Sequence, residues 1–376
     1  MSRLPVPSAA ALASGVTAPV ASGVTAPVAS GVTAPARVAA PAPGTGAVGA
    51  PRSAATPAQV RRANFPDVID FYAPGLKRWQ TPEWTPENPR RFLPVSVTGS
   101  ACALSCDHCQ TKVLDGMISA RAEEDLFALA RRLRDQGSEG LLVSGGSTRT
   151  GEVPLLPHLR HIPRIKSELG MKVIVHSGVV SPRLAAGLAE AGVDGVMLDI
   201  IGADETIRDV YHLNLTVADM ERSLALLSAQ GLRIIPHIVL GLHYGKFLGE
   251  HAALDMLTRY PVSTLILVVL TPLTGTPMAH LPPPSTDEVA AFFAEARLAA
   301  PAIPINLGCA RPLGAAKIEL DQAAIDLGLN GIAYPADGMI GYARSRGLEP
   351  RLYEYCCSLT WTGDRDAGYA TVTVGE

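Results

Sequence analysis

The stretch Ala101-Cys102-Ala103-Leu104-Ser105-Cys106-Asp107-His108-Cys109 places three cysteines within eight residues, in the pattern Cys-x3-Cys-x2-Cys. It follows the apolar run Leu93–Val97, which has the length and composition of a buried strand. Three thiolates on one loop can hold three corners of an iron–sulfur cubane and leave the fourth iron open to a chelating ligand. The sequence therefore predicts a [4Fe–4S] cluster on a loop at the end of a strand.

Beyond this loop, β-like runs alternate with helical patterns. The helices have the expected apolar spacing, as in Leu126, Leu129, Ala130 and Leu133. The β-like runs are Leu93–Val97, Leu141–Val143, Val173–Val175, Val196–Ile201, Ile234–Leu240, Leu265–Leu270, Ile303–Leu307 and Gly331–Tyr334. This alternation predicts an α/β fold with a parallel sheet, and closure into a (β/α)8 TIM-type barrel is its simplest arrangement. An open doubly wound sheet is the alternative, and in both folds ligands bind at the carboxyl ends of the strands.

Four segments are predicted along the chain. Residues 1–55 are rich in Ala, Pro, Val and Gly and repeat the octapeptide Ala-Ser-Gly-Val-Thr-Ala-Pro-Val nearly three times, which is typical of a disordered tail. Residues 56–91 are predicted to form an N-terminal helical extension that packs on the main domain. The barrel occupies residues 92–340, and residues 341–376 form a C-terminal extension that carries two cysteines.

Composition narrows the classes of partner. The formal net charge is −3 and the basic residues form no stripe, so binding to nucleic acid through phosphates has little support. No run of 18 apolar, uncharged residues occurs, so the sequence predicts no transmembrane helix and a cytoplasmic location. In that compartment thiols stay reduced, so the six cysteines indicate metal ligands or reactive thiols before disulfides. The substrate is expected to be small or carried by another protein.

Small and polar residues follow several of the predicted strands. The turn Ser144-Gly145-Gly146-Ser147 comes after the second strand, and its glycines let the backbone approach a ligand closely. It matches neither a P-loop nor Gly-x-Gly-x-x-Gly, which excludes those phosphate-binding motifs. The other polar residues at strand ends are His176, Ser177, Asp199, His237 and Thr271. Together they are candidate ligand contacts, although each can also be a hydrogen-bonded structural residue.

The cysteine loop resembles that of the radical S-adenosylmethionine (SAM) superfamily. The resemblance implies that Cys102, Cys106 and Cys109 hold a [4Fe–4S] cluster and that SAM chelates its open iron. An electron from a donor then splits SAM into methionine and a 5′-deoxyadenosyl radical. The turn at residues 144–147 stands where the family carries a Gly-Gly motif for the SAM amino group. A Cys3His zinc site that uses His108 is the competing interpretation, but adjacent ligands are awkward for one tetrahedral ion.

The remaining cysteines are Cys309, after the seventh strand, and the adjacent pair Cys356 and Cys357. A disulfide within an adjacent pair is strained, so a structural bridge is a poor interpretation. They are predicted to hold a second, auxiliary iron–sulfur cluster, which is completed by Arg311 or Ser358 or left open. The alternative is three buried thiols without a metal.

The barrel length, the Gly-Gly turn and the run Leu270–Met278 resemble the biotin synthase-like branch over roughly residues 90–360. No cysteine lies between Cys109 and Cys309 or before Cys102, which departs from the placement in biotin synthase and in single-chain lipoyl synthase. The chain resembles a component of the two-protein (split) lipoyl synthases. That resemblance implies sulfur insertion into an unactivated C–H bond of an octanoyl chain on a carrier protein, together with a sister radical SAM protein. Another biotin synthase-like enzyme (a mutase or cofactor-assembly enzyme) and a non-catalytic iron–sulfur protein are the alternatives.

Overall fold

Eleven parallel strands form one sheet in the computed structural model, which describes residues 55–120 and 125–360. Their order across the sheet is β11-β1-β10-β9-β8-β7-β6-β5-β4-β2-β3. The strands are β1 (Val68–Tyr72), β2 (Phe92–Ser96), β3 (Ile118–Ser119), β4 (Gly140–Ser144), β5 (Lys172–His176), β6 (Gly195–Asp199), β7 (Ile234–Leu240), β8 (Leu265–Val269), β9 (Ile305–Leu307), β10 (Gly331–Ala333) and β11 (Glu349–Tyr353).

Helices connect most neighbouring strands. They are α1 (Pro57–Asn64), α2 (Leu126–Asp135), α3 (Leu156–Leu159), α4 (Ile162–Leu169), α5 (Pro182–Ala191), α6 (Asp204–Asp209), α7 (Val217–Ala229), α8 (Glu250–Leu257), α9 (Thr286–Ala299), α10 (Ala315–Asp326) and α11 (Met339–Ser345). Two short 3-10 helices span Lys112–Leu114 and Cys357–Leu359. Side-chain caps fix several starts, since Asp125 and Ser181 accept hydrogen bonds from the first turns of α2 and α5. No helix in the described ranges has both the length and the apolar character that crossing a bilayer requires.

The parallel α/β fold class is confirmed, and each of the eight predicted strands is present as β2 or one of β4 to β10. The helical spacing is also confirmed in α2, where Leu126, Leu129, Ala130 and Leu133 are buried. The sheet is a half-barrel, because its hydrogen-bonded order is linear and β3 and β11 lie at its two edges.

In the part of the chain that the structure describes, no ladder of backbone hydrogen bonds joins β2, near one edge of the sheet, to β11 at the other edge. We call the gap between these two strands the seam. Strand β2 pairs with β4 on one side and with the two-residue strand β3 on the other. Pro94 lies in the middle of β2 and has no N–H to donate to a ladder. Side chains join the seam instead: Glu354 accepts hydrogen bonds from Arg91 Nε at 2.8 Å and from the Asn88 N–H at 3.0 Å.

The structure corrects two predicted segment boundaries. The helical extension at residues 56–91 contains α1, but Val68–Tyr72 is a strand that pairs with both β10 and β11. Likewise, residues 341–376 are not only an extension of the barrel, because β11 belongs to the sheet. The sheet therefore reaches beyond residues 92–340 at both ends. Residues 1–54 of the predicted tail (1–55), together with residues 121–124 and 361–376, lie outside the described residues.

The chain after β11 turns into the concave side of the sheet. The 3-10 helix Cys357–Leu359 contacts both β6 and β10, between which three strands intervene in the sheet order. A segment that touches both must lie inside the curve of the sheet. Asn306 Nδ2 on β9 donates to the Cys357 carbonyl at 2.7 Å and holds it there. Two of the predicted site residues, Cys356 and Cys357, are therefore in the interior.

Candidate active site

A cavity of about 340 Å³ opens at the carboxyl ends of β2, β4, β5 and β6. Its wall brings together the predicted cysteines of the loop 101–109, the turn 144–147, His176 and Asp199. Parallel strands place the loops that follow them on one edge of the sheet, which is why residues far apart in sequence meet here. Neither Ser177 nor His237 is among the described residues that line this cavity.

The cysteine loop holds its thiols close together. Cys106 and Cys109 are buried and Cys102 is half-buried. A hydrogen bond from Cys106, with a smaller contribution from His108, lowers the pKa of the Cys109 thiol to about 4. The same contact, together with burial, raises the pKa of Cys106. A low-pKa thiolate is the form that binds metal, so the loop fits an iron–sulfur cluster in its chemistry. No three His, Cys, Asp or Glu side chains in the described ranges already form a metal site, so this fit rests on burial and charge.

Backbone strain is concentrated at the cysteines. The described non-glycine residues with a left-handed backbone are Ser105 (φ 49°), Gln110 (φ 45°), Thr111 (φ 66°), His212 (φ 58°), Tyr244 (φ 53°) and Tyr334 (φ 50°). The first three lie in or directly after the cysteine loop. His212 and Tyr244 hydrogen-bond to Asp107 within it, and Tyr334 lies beside the auxiliary cysteines. Such strain persists only where surrounding contacts enforce it, and it clusters at functional sites.

The Gly-Gly turn packs directly on the cysteine loop. A Cβ at Gly146 would lie 2.1 Å from the Ala101 carbonyl oxygen and 2.5 Å from the Cys102 Cβ. The Gly146 N–H donates to Thr98 Oγ1 at 2.7 Å, and the Ala103 N–H donates to the Ser147 carbonyl at 2.8 Å. Glycine is thus required at position 146 by the close approach of the cysteine loop, and the predicted contact of this turn with a ligand stays a prediction.

We expect Gly146→Ala to lower SAM cleavage by more than about tenfold, since one extra methyl in a packed site costs about 1–3 kcal/mol. The added Cβ must displace the loop that carries Cys102. The measurement is 5′-deoxyadenosine formed per bound iron under dithionite. Gly116→Ala is the matched control, because its nearest contact for a Cβ is an ordinary 3.5 Å. Equal activity in the two variants would contradict the predicted role of the turn.

Asp199 anchors a polar group on the cavity wall. Its carboxylate lies 3.6 Å from His176 Nε2 and accepts a hydrogen bond from the Tyr211 hydroxyl at 3.1 Å. Burial raises the pKa of Asp199, but His176 and His237 outweigh it and hold that pKa well below its usual range. Burial, together with His176, lowers the pKa of His237 to about 4. At neutral pH the wall therefore presents a carboxylate next to a neutral His237.

The other predicted polar residues have structural partners. Ser177 is buried and donates to the Gly178 carbonyl at 3.0 Å. Thr271 donates to the Val269 carbonyl at 3.2 Å. His237 is the sheet partner of Asp199, and its ring packs edge-on against His176 at 5.6 Å between centroids. It supports the wall from behind.

Tyr211 was not predicted from the sequence. It lines the cavity, its carbonyl lies 3.9 Å from Cys106 Sγ, and its ring lies 5.0 Å from that of His108. Its hydroxyl also holds Asp199, so it connects the cysteine loop to the polar wall. A tyrosine in a loop has no distinctive spacing in the sequence. The position of Tyr211 in the connection that follows β6 is therefore the one feature that could have indicated a role at the site.

Comparison with known proteins agrees with this geometry. The profile of the Radical SAM superfamily matches residues 96–251, the part that contains the cysteine loop, the Gly-Gly turn and Asp199. The chain carries a radical SAM domain. Biotin synthase 2 of Polaromonas sp. (strain JS666) is 25% identical over 225 residues, which cover 58% of this chain and 64% of that protein. Biotin synthase of Acaryochloris marina (strain MBIC 11017) is 26% identical over 191 residues, 48% of this chain and 53% of that protein. The chain thus spans less than two thirds of the length of either relative.

Solved structures share the fold of the radical SAM domain at low identity. The [FeFe]-hydrogenase maturase HydG from Carboxydothermus hydrogenoformans superposes with a TM-score of 0.55 and 15% identity, over 78% of this chain and 70% of that one. Methylornithine synthase superposes with a TM-score of 0.52 and 13% identity, over 78% of this chain and 87% of that one. These likenesses concern the fold alone.

The auxiliary cysteines meet at a second place, outside the lining of the cavity. The Cys357 thiol is in hydrogen-bond contact with both Cys309 and Cys356, and these contacts, with burial, raise its pKa. The contact with Cys357 lowers the pKa of Cys356 to about 7, and His176 on the cavity wall contributes. The structure therefore brings these three residues together, and their role as cluster ligands stays a prediction. His176, which lines the cavity, is thus electrostatically coupled to this group.

The two predicted fourth ligands differ in what holds them. Arg311 is committed to the fold: it binds both oxygens of buried Asp321, at 2.6 and 3.1 Å, and donates to two backbone carbonyls. Its donors already have partners, so the structure does not leave Arg311 free to act as the predicted cluster ligand. Ser358 is 0% exposed, and its Oγ approaches Cys356 without the geometry of a hydrogen bond and is otherwise unpaired. Leaving a buried hydroxyl unpaired costs about 1–3 kcal/mol, and a metal bond would remove that cost.

Proposed function

We propose that this chain is a radical SAM enzyme in which Cys309, Cys356 and Cys357 hold a second cluster that supplies sulfur to an unactivated carbon. The proposed substrate is an octanoyl chain on a carrier protein, as in lipoyl synthesis. The observation that supports the proposal is a second group of three cysteines, outside the lining of the cavity, that His176 links to the cavity with its own three cysteines. His176 lines that cavity and also influences the Cys356 thiol.

The first group would bind SAM and its cluster. When bound, the cluster supplies the electron that splits SAM into methionine and a 5′-deoxyadenosyl radical. Cys102, Cys106 and Cys109 would hold three irons, and the turn 144–147 brings backbone within reach of the SAM amino group. Asp199, held as a carboxylate by His176 and Tyr211, offers acceptors for hydroxyl groups of a ligand.

The second group fits a cluster by the chemistry of its surroundings. The buried Cys357 thiol interacts with buried Cys356 and with half-buried Cys309, and the unpaired Ser358 Oγ offers an oxygen ligand beside them. A cation borders the site and favours the negative charge of a thiolate-bound cluster: Lys77 Nζ lies 4.3 Å from the Tyr334 ring centroid and interacts with Cys309. The Cys309 thiol counteracts the lowering of the Lys77 pKa by burial. The homologous biotin synthases make sulfur transfer plausible for this branch.

The apolar lining of the cavity favours a substrate with an alkyl chain. The cavity is lined by large aliphatic side chains near its mouth, at Leu76, Val113, Leu114 and Met117. Leu76 and Val113 are exposed, at 36% and 55%. An exposed aliphatic rim leading into an apolar cavity suits an acyl chain that enters from a carrier protein, because its methylenes leave water on entry.

The test is a triple alanine variant at Cys309, Cys356 and Cys357 after anaerobic reconstitution. The parent should bind roughly eight irons and the variant roughly four. The variant should still form 5′-deoxyadenosine but insert no sulfur into an octanoylated carrier, so radical formation and product formation become uncoupled. The matched control replaces Cys102, Cys106 and Cys109 by alanine: it should keep roughly four irons and form no 5′-deoxyadenosine.

Other outcomes would favour the alternatives. Unchanged iron content would mean that the auxiliary thiols are merely buried. Sulfur insertion by the triple variant would place the sulfur source elsewhere, and SAM cleavage without any carbon–sulfur product would favour a mutase or cofactor-assembly enzyme. A parent that binds iron but never cleaves SAM would be a non-catalytic iron–sulfur protein. The sister radical SAM protein and the electron donor are part of the proposal and can be added to the same assay.

A further inference from the structure

Asp107 lies between Cys106 and Cys109 and is held from two other loops. His212, in the loop after β6, places Nε2 2.9 Å from Asp107 Oδ1. Tyr244, in the loop after β7, donates its hydroxyl to Asp107 Oδ2 at 2.8 Å. The Asp107 N–H donates to the Val210 carbonyl at 3.0 Å. Both carboxylate oxygens and the backbone of one residue of the cysteine loop are thus fixed by chain segments more than a hundred residues away.

We infer that Asp107, His212 and Tyr244 form a clasp that positions the cysteine loop for cluster binding, with Asp107 as its positioning residue. This inference rests on the proposed function, because it takes the loop to hold the SAM cluster. None of the three side chains of the clasp is a thiol, so none of them is one of the proposed cluster ligands. It was not predicted from the sequence.

The backbone at both partners indicates that the contacts are enforced. His212 and Tyr244 both have a left-handed φ, which is unfavourable for residues that carry a Cβ. Their side chains meet the same carboxylate from two loops. Unfavourable backbone at two positions that converge on one group is retained only when the contacts made there compensate for it. Hydrogen bonds to a charged group are the strong class that can do so.

The clasp also connects the cysteine loop to the wall of the cavity. Tyr211 and Leu213, the neighbours of His212, both line that cavity. A shift of Asp107 would therefore move the loop relative to the surface that SAM contacts. The clasp has an electrostatic effect as well, because a carboxylate beside the ligands opposes the gain of an electron by a bound cluster.

Two variants separate position from charge. Tyr244→Phe removes the hydroxyl that donates to Asp107 Oδ2 at 2.8 Å and to the Asp209 carbonyl at 3.1 Å, and it keeps the carboxylate. Release of iron to a chelator should become at least about tenfold faster, the effect of losing one hydrogen bond to a charged group. The midpoint potential of the first cluster should stay unchanged. Asp107→Asn keeps the size but removes the charge, so it should both release iron faster and raise the potential. Iron release and midpoint potential are measured on the full reconstituted chain that also carries alanine at Cys309, Cys356 and Cys357. In that background the first cluster alone contributes to both signals.

The control and the outcomes make the test decisive. Asp209→Asn removes a carboxylate at the end of helix α6 but keeps the carbonyl that accepts from Tyr244. Its side chain pairs with Arg208 at the surface, so its iron release should match the parent. Parent-like iron release by both Tyr244→Phe and Asp107→Asn would overturn the clasp while leaving the proposed function intact. If Asp107→Asn does not fold, Tyr244→Phe alone decides in the same way. A parent that binds no iron would overturn both the function and the clasp.

Discussion

Replacing Cys106 by alanine is expected to abolish SAM cleavage, with 5′-deoxyadenosine falling to the level of the cluster-free protein. The reason is that Cys106 is the middle thiol of the loop and contacts Cys109, so its loss removes one of three corners. The sheet should remain folded, because Cys106 belongs to a small apolar cluster at the strand ends rather than to the main core.

The measurement combines 5′-deoxyadenosine by chromatography with iron content and far-ultraviolet circular dichroism. Cys309→Ala is the matched control, since the same substitution at the auxiliary site should leave SAM cleavage intact. A Cys106→Ala protein that cleaves SAM at the parent rate would refute the assignment of the first cluster.

Replacing Arg311 by methionine is expected to reduce the free energy of unfolding by about 3 kcal/mol, the cost of breaking a buried ion pair from one side. Asp321 is 0% exposed and would keep only Lys317 and the Ala336 N–H as partners. Arg311 also donates to the Gly308 carbonyl at 2.8 Å, next to Cys309, so the turn that carries this thiol loses a support.

The measurement is denaturant unfolding of the cluster-free protein. Arg346→Met is the control: its partner Asp326 lies at the surface, where such pairs contribute at most about 1 kcal/mol. The spectrum of the auxiliary cluster in reconstituted, folded Arg311→Met should be unchanged per iron. A changed spectrum without a loss of stability would instead make Arg311 a cluster ligand.

The strands that build the site were predictable because their signal is local. The apolar runs before Cys102 and Ser144 are bounded by polar or small residues, and close spacing of the thiols in the loop 101–109 limits the chemistry it can perform. The Gly-Gly turn was likewise predictable, since the requirement at Gly146 is a steric one that only glycine meets.

The edges of the sheet were less predictable. All five residues of β1, Val68–Tyr72, are buried, so they lack the alternation that distinguishes a strand, and helix α1 stands just before them. Strand β11 contains Pro350, which argues against a strand unless the neighbouring position lies at a sheet edge. Edge position is a property of the whole sheet and cannot be seen in the segment.

Contacts between distant loops were not predictable at all. Tyr211, His212 and Tyr244 reach the cysteine loop only because the loops after β6 and β7 converge on it. The separate fates of Arg311 and Ser358 depend on which buried groups have partners. Hydrogen-bond satisfaction is decided by packing in three dimensions, so single-sequence reasoning could name both residues but not choose between them.

The entry of the Cys357–Leu359 helix into the concave side of the sheet has a consequence for biogenesis. A ribosome makes residues 102–109 and the turn 144–147 well before it makes Cys356 and Cys357. Domains generally begin to fold from the amino-terminal side during synthesis. The nascent chain can therefore assemble the first thiol loop while Cys309 still lacks its partners. The site of Cys309, Cys356 and Cys357 is accordingly completed only after β11 has been synthesised, because two of its three thiols follow that strand.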